Sequence, residues 1–488
     1  ERKDLLYGLF FLGTIISYIY YKETNRTIYY YISLMLFFLS LLSKPAGIIL
    51  PFILLLFDYI ISGETPDKKN IREKIPYILL TSIFIVITVT IMSFYKPSEG
   101  NTVYPFYHNI YIAAYNVIFY LCKLSWPAKQ SAIYPHPGGT GLPLSFLISP
   151  FIVFIFITSI IMSLKYTKKI FFAMLFFLIT ILPVIQLIPV PPGIGADRYT
   201  YIPSLGYFYI LSEGFVRIYR KKSNTRLKTL LTILLIIIII TLSSLSYKRT
   251  LVWKDSITLW SDVLKNYPDI VIAWNNRGIA YMEKNEYDRA IDDFDHSIKL
   301  DASYGEAYYN LGNTYYKKQE YDKALRNFNY ALKLNNSHVK AYINRGTLYY
   351  NTGNYDLALS DINRALTLDP YSYIAYTARG NVYFEKKEYK KSLADYNQSL
   401  KIAPNFAETY NNRGILYGVI KEYDRAIDDF TKAVTINPLF IEAYYNRALT
   451  WSDKKEYEKA WEDIQKIQKL GYKADKQFVE KLRKELGK

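Results

Sequence analysis

Five asparagines stand in register: Asn276, Asn310, Asn344, Asn412 and Asn446 lie at one position of a 34-residue period, with Ala378 in the remaining place. A carboxamide both donates and accepts hydrogen bonds, so a row of them can hold an extended polypeptide backbone without reading its side chains. The alternative is that the amides tie neighbouring helices together. Tyr309, Asn313 and Tyr316 add polar groups beside the row. A second set is ionic. Asp197 and Arg198 lie between a proline-rich segment and an apolar run, where charge is costly unless paired or functional. A guanidinium fits phosphate oxygens with two-point geometry, which makes Arg198 a candidate for a lipid phosphate. Lys44, Arg2 and Lys3 are candidates for the same group. The alternative is that Asp197 caps a helix and the cations anchor to headgroups.

Metal and nucleophile chemistry finds little support. His108, His136, His296 and His338 are scattered, and Cys122 is the only cysteine, expected to pack as a small hydrophobe. The glycine-rich stretch 136–141 lacks a phosphate-binding lysine and reads as a turn. No metal site is expected.

The elements that position the asparagines are set by the period. Gly278, Gly312, Gly346, Gly380 and Gly414 recur every 34 residues, with Ala448 sixth, and each is followed by a tyrosine and a small residue in phase. Small residues let two short helices cross closely, and each pair buries its apolar face on the next. Thirty-four is the tetratricopeptide (TPR) length. Six repeats are expected over 271–474, a connecting half-repeat helix over 251–270, and a polar-faced capping helix over 475–488. The aromatic columns at the fourth and eleventh places, such as Tyr342 and Tyr349, read as packing positions.

Residues 1–250 differ in kind. They carry 24 Lys/Arg against 10 Asp/Glu, out of a net charge of +17 for all 488 residues. The cations sit in short loops between apolar runs, which points to a bilayer and away from nucleic acid. About eight crossings are expected, over 5–21, 27–43, 46–62, 76–95, 143–164, 170–190, 200–216 and 229–246, with 109–125 lying at the interface. The basic loops at Lys22–Arg26, Lys68–Lys74, Lys165–Lys169 and 217–228 are expected in the cytoplasm, which puts the repeats outside it. Starting at Glu1 directly before an apolar run, the chain reads as a piece lacking its N-terminal part.

Several stretches carry a resemblance. They are Arg2–Lys3–Asp4–Leu5–Leu6, Pro51 to Phe57–Asp58–Tyr59, Trp126–Pro127 with Ile133–Tyr134–Pro135, Ala196–Asp197–Arg198–Tyr199 through Pro203–Ser204–Leu205–Gly206, and Trp253 to Trp260. In this order they resemble the transmembrane and TPR O-mannosyltransferase family (TMTC-like). The resemblance implies an all-α chain: a partial GT-C-like transmembrane bundle followed by a TPR solenoid. It also implies sugar transfer from a polyprenyl-phosphate donor at the outer face, with the catalytic acid upstream of this chain. The asparagine row resembles the TPR arm of the O-linked N-acetylglucosamine transferase and implies a polypeptide partner. The rival reading is a non-catalytic, membrane-anchored TPR scaffold in the cell envelope.

Overall fold

The computed structural model describes residues 2–62, 67–94, 106–127, 130–135, 142–185, 187, 195–221 and 225–487. Among them the regular structure is helical, with one isolated bridge between Tyr134 and Gly195. The chain divides into two units, Glu1–Ala280 and Tyr281–Lys488.

The first unit begins with α1 (Arg2–Thr24), α2 (Thr27–Ser43), α3 (Leu50–Ser62), the short α4 (Lys68–Glu73) and α5 (Ile75–Phe94). It continues with α6 (Phe106–Ser125), α7 (Leu144–Ser163), α8 (Lys168–Ile181), α9 (Pro203–Lys221), α10 (Thr225–Val252), α11 (Ser256–Asn266) and α12 (Val271–Glu283), the last straddling the unit boundary. Among the described residues four segments are long and apolar enough to cross a membrane: Lys3–Thr24, Pro45–Ser62, Leu144–Ser163 and Thr225–Val252. Thr27–Ser43 and Ile75–Ile91 are apolar but shorter. α1 and α2 form an antiparallel hairpin, turned at Asn25 in the left-handed region (φ 55°). Phe11, Phe37, Leu50, Ile53 and Tyr77 pack its core. α9 lies backbone against backbone on α8 because Gly206 has no side chain: a Cβ there would meet the Ala173 carbonyl at 2.5 Å. None of the 18-residue apolar window in α10 is buried, so its apolar surface faces outward.

Two side chains depart from expectation. Cys122 is exposed, on the outward side of α6, and is not a core residue. Lys74 is not a loop cation. It is fully buried, with Nζ 2.5 Å from Asp58 Oδ2 and hydrogen-bonded to the Tyr18 hydroxyl, because the Asp58 carboxylate in α3 needs a counter-charge.

The second unit stacks helix pairs. After α12 come α13 (Tyr287–Leu300), α14 (Gly305–Lys317), α15 (Tyr321–Leu334), α16 (Val339–Asn351), α17 (Tyr355–Leu368), α18 (Tyr373–Glu385) and α19 (Tyr389–Ile402). α20 (Ala407–Val419), α21 (Tyr423–Ile436), α22 (Ile441–Asp453), α23 (Tyr457–Lys469) and α24 (Lys476–Glu485) complete it. The glycines explain the crossing. A Cβ on Gly346 would lie 2.8 Å from Ile362, and one on Gly380 2.5 Å from the Tyr396 ring. Two residues past the end of each first helix the backbone takes positive φ: Asn285, Gln319, Gly353, Lys387, Lys421 and Lys455, at 60–77°. α24 buries Phe478 and Leu482 against the last pair.

Candidate functional site

The asparagines lie on the first helix of each pair, two residues before the crossing glycine or alanine and so on the side of the helix away from it. The structure joins several of them across repeat boundaries. Asn344 Nδ2 donates to Asn313 Oδ1 (2.7 Å) and to the Tyr309 hydroxyl (3.1 Å), bringing three candidates together. Asn412 Nδ2 donates to Asn381 (3.1 Å), and Asn446 Nδ2 to Asn411 (2.9 Å). Tyr316 accepts from Asn351 Nδ2 at 2.5 Å. Asn276 accepts from its neighbour Asn275 at 3.4 Å, and Asn310 is buried. The amides therefore do tie adjacent helices. Asn276, Asn344, Asn412 and Asn446 nonetheless stay partly exposed on that face. Asn351, Asn381 and Asn411 were missed as members, since they stand at other places in the period.

A second ladder runs through the same helices. Arg345 forms a two-point pair with Asp361 (Nε and Nη2, both 2.7 Å), while its Nη1 reaches Asn329 of the preceding repeat at 2.6 Å. Arg379 repeats this with Asp395 and Asn363, Arg413 with Asp429 and Asn397, and Arg447 with Asp463 and Thr431. The aromatic columns flank the guanidinium: Arg345 stands 5.7 Å from the Tyr342 ring centre and 6.0 Å from that of Tyr349. Hydrogen bonds to Asp395 hold the Arg379 guanidinium above its ordinary value, against the opposing effect of burial. The signal was in the sequence: arginine recurs at the seventh place and aspartate sixteen residues on, and repeat two carries Leu311 and Asn327 at those places.

In the first unit, Lys44 pairs with Asp4 and its ammonium lies 5.0 Å from the Tyr199 ring centre. Lys3, Lys44 and Tyr199 line a cavity of about 730 Å³ whose walls include Leu6, Phe10 and Leu42. Tyr134 N–H donates to the Gly195 carbonyl at 3.1 Å, and the Ala196 N–H donates to the Tyr120 hydroxyl at 3.3 Å. The stretches around Asp4, Tyr134 and Tyr199 thus meet at one end of the unit. Asp197 to Thr200 form a turn of 3-10 helix. The side chains of Asp197, Arg198 and Arg2 lie outside the described residues, as does the stretch 136–141. Among the described residues no group of three or more His, Cys, Asp or Glu could hold a metal ion.

Family models described as tetratricopeptide repeat or TPR repeat match residues 278–319, 309–373, 380–418 and 407–440. No curated protein matches the chain. Among solved structures it is similar to YrrB, described as a TPR protein with an unusual peptide-binding site (24% identity, TM-score 0.31, 38% of this chain and 95% of that one). It is also similar to a tetratricopeptide repeat protein from Parabacteroides merdae (22%, 0.41, 48% and 93%). A third is PilW, described as a widely conserved type IV pilus biogenesis factor (18%, 0.40, 43% and 98%). The second unit is a helical solenoid of tetratricopeptide repeats.

Proposed function

We propose that this chain is a membrane-anchored adaptor whose TPR array binds an extended polypeptide on its asparagine-lined face, outside the cytoplasm. The observation that carries the reading is the row of partly exposed amides joined across repeats: Asn344 with Asn313 and Tyr309, Asn412 with Asn381, Asn446 with Asn411. An amide face pairs with backbone groups of any sequence, which suits presentation of varied polypeptides. The four long apolar helices supply the anchor. The test replaces Asn344, Asn412 and Asn446 together with alanine and compares covalent capture of neighbours by the full chain in cells. Loss of the captured species with helicity retained is expected, since each lost hydrogen bond removes about 0.5–1.5 kcal/mol. Unchanged capture would confine the amides to tying helices.

A second reading, sugar transfer from a polyprenyl-phosphate donor, draws on the TMTC-like resemblance and on the cavity holding Lys3 and Lys44 above apolar walls. Arg198 completes the phosphate contact in this reading. With donor supplied to the membrane-embedded protein, Arg198→Lys impairs transfer and Arg198→Ala impairs it more, because lysine keeps the charge but loses the two-point contact. Full activity of a folded Arg198→Ala protein would remove the phosphate contact. No transfer by the unaltered protein would leave the adaptor alone.

A further inference from the structure

The short helix α4 is built inside out. Asn70, Glu73 and Lys74 turn inward to a network with α1 and α3. There Lys22 Nζ reaches Asn70 at 2.6 Å and Glu73 at 3.0 Å, and the Tyr18 hydroxyl donates to Asp58 at 2.8 Å. Tyr30 of α2 donates to the Glu73 carbonyl at 3.0 Å, so three neighbouring helices hold α4. Its other face carries Lys68, Lys69 and Arg72, all exposed, and none has an ion-pair partner among the described residues. Beside them the apolar Ile71 and, at the start of α5, Ile75 are 53% and 48% exposed.

Exposed isoleucines interleaved with exposed cations suit neither water nor the acyl interior. They suit the boundary, where apolar groups reach the acyl chains and cations the phosphates. α4 stands there by connection, at the end of the apolar span Pro45–Ser62 and immediately before the apolar α5. A second basic segment shares this end: Lys168 lies 5.5 Å from the ring centre of Tyr59, near the end of α3. The inward network cancels its own charge among Asp58, Glu73, Lys22 and Lys74, so the outward cations face solvent without internal neutralisation.

We infer that the outward face of α4 is a docking site for anionic phospholipid headgroups, with Lys68, Lys69 and Arg72 on the phosphates and Ile71 and Ile75 in the acyl boundary. This rests on the membrane reading of the first unit and is independent of the TPR face. A cation near an anionic surface contributes about a fivefold preference, so three make α4 a strong local selector for charged lipid.

The test reconstitutes the full chain in lipid nanodiscs of phosphatidylcholine and phosphatidylglycerol, extracts it gently, and measures the ratio of the two lipids retained. Enrichment of phosphatidylglycerol is expected for the unaltered chain. Lys69→Gln should lower the enrichment about fivefold, and K68Q/K69Q/R72Q should lower it further. A control losing equal charge in the repeats, K317Q/K340Q/K421Q, should retain it. The single substitution guards against misfolding of the triple, since Lys69 is exposed and has no ion-pair partner among the described residues. Equal enrichment in the unaltered and Lys69→Gln chains, or equal loss in the control, would overturn the site while leaving the membrane reading intact. Failure of the unaltered chain to enter the discs would overturn both.

Discussion

At the scale of single residues, the arginine ladder is the most consequential find. Arg345 is about one-fifth exposed and Asp361 less than one-tenth. Removing the arginine leaves a nearly buried carboxylate without its partner. Arg345→Leu should therefore destabilise the repeat array, residues 250–488, by about 1–3 kcal/mol, discounted from a fully buried pair for the exposed edge. Repeat two already shows the remedy, with Leu311 and Asn327 at the equivalent places. The double variant Arg345→Leu/Asp361→Asn should recover more than half of the loss in chemical denaturation. If the double variant is no more stable than the single, the pair is not the source of the penalty. The recurrence of arginine and aspartate was visible in the sequence, but their pairing was not, because the partners lie sixteen residues apart on different helices. Only the crossing angle fixed by Gly346 brings them within reach. The asparagines were legible because they share one place in the period; Asn313 and Asn381 share another, and only the packing of adjacent repeats shows that they accept from the row.

At the scale of elements, the glycine spacing made the all-helical class and the repeat array readable, since few architectures demand a small residue every 34 positions. Gly346→Leu should cost about 1–3 kcal/mol or more by overpacking against Ile362, 2.8 Å from the added Cβ. Asn354→Leu, at an exposed place in the turn, should change the melting temperature little. Equal effects would remove the crossing role of the glycine. The helix-ending residues offer a converse test. Lys421 holds φ 65°, a conformation that glycine occupies at Gly353 without steric cost. Lys421→Gly should stabilise the array by about 0.5 kcal/mol, the left-handed penalty less the entropy of glycine. A lower melting temperature would mean that the lysine side chain does more there than hold the turn. What the sequence did not yield at this scale was the inward turn of α4. Its basic residues look alike in a row, and burial separates Lys74 from Lys68, Lys69 and Arg72 only once α1 and α3 supply their acids and phenols.

At the scale of the whole molecule, the charge pattern of the loops makes a prediction about sidedness. After Cys122→Ser, impermeant thiol reagent added to intact cells should label Leu300→Cys and spare Lys222→Cys. The opposite pattern would reverse the orientation and place the TPR face in the cytoplasm. Labelling of both would deny that a bilayer separates them.

The arginine ladder also has a mechanical side. Arg345, Arg379, Arg413 and Arg447 each rivet a repeat to the one before it, from the second repeat through the sixth. Among the described residues no such arginine rivet spans the first junction, where Leu311 replaces the arginine and Asp295 stands in place of the amide acceptor; the tie there is the exposed Lys318–Asp288 ion pair at 2.7 Å, worth little in water. Burial pushes the Asp295 carboxyl up from its ordinary value, so its ionised form weighs against the fold near neutral pH and is relieved as the pH falls through its raised value. Under a pulling force the array should part first at this seam, with repeats two to six yielding together at higher load. On the proposed function, a tug on a bound polypeptide would be felt as a peeling of the first repeat before the rest gives way, and the seam would act as a fuse between cargo and anchor.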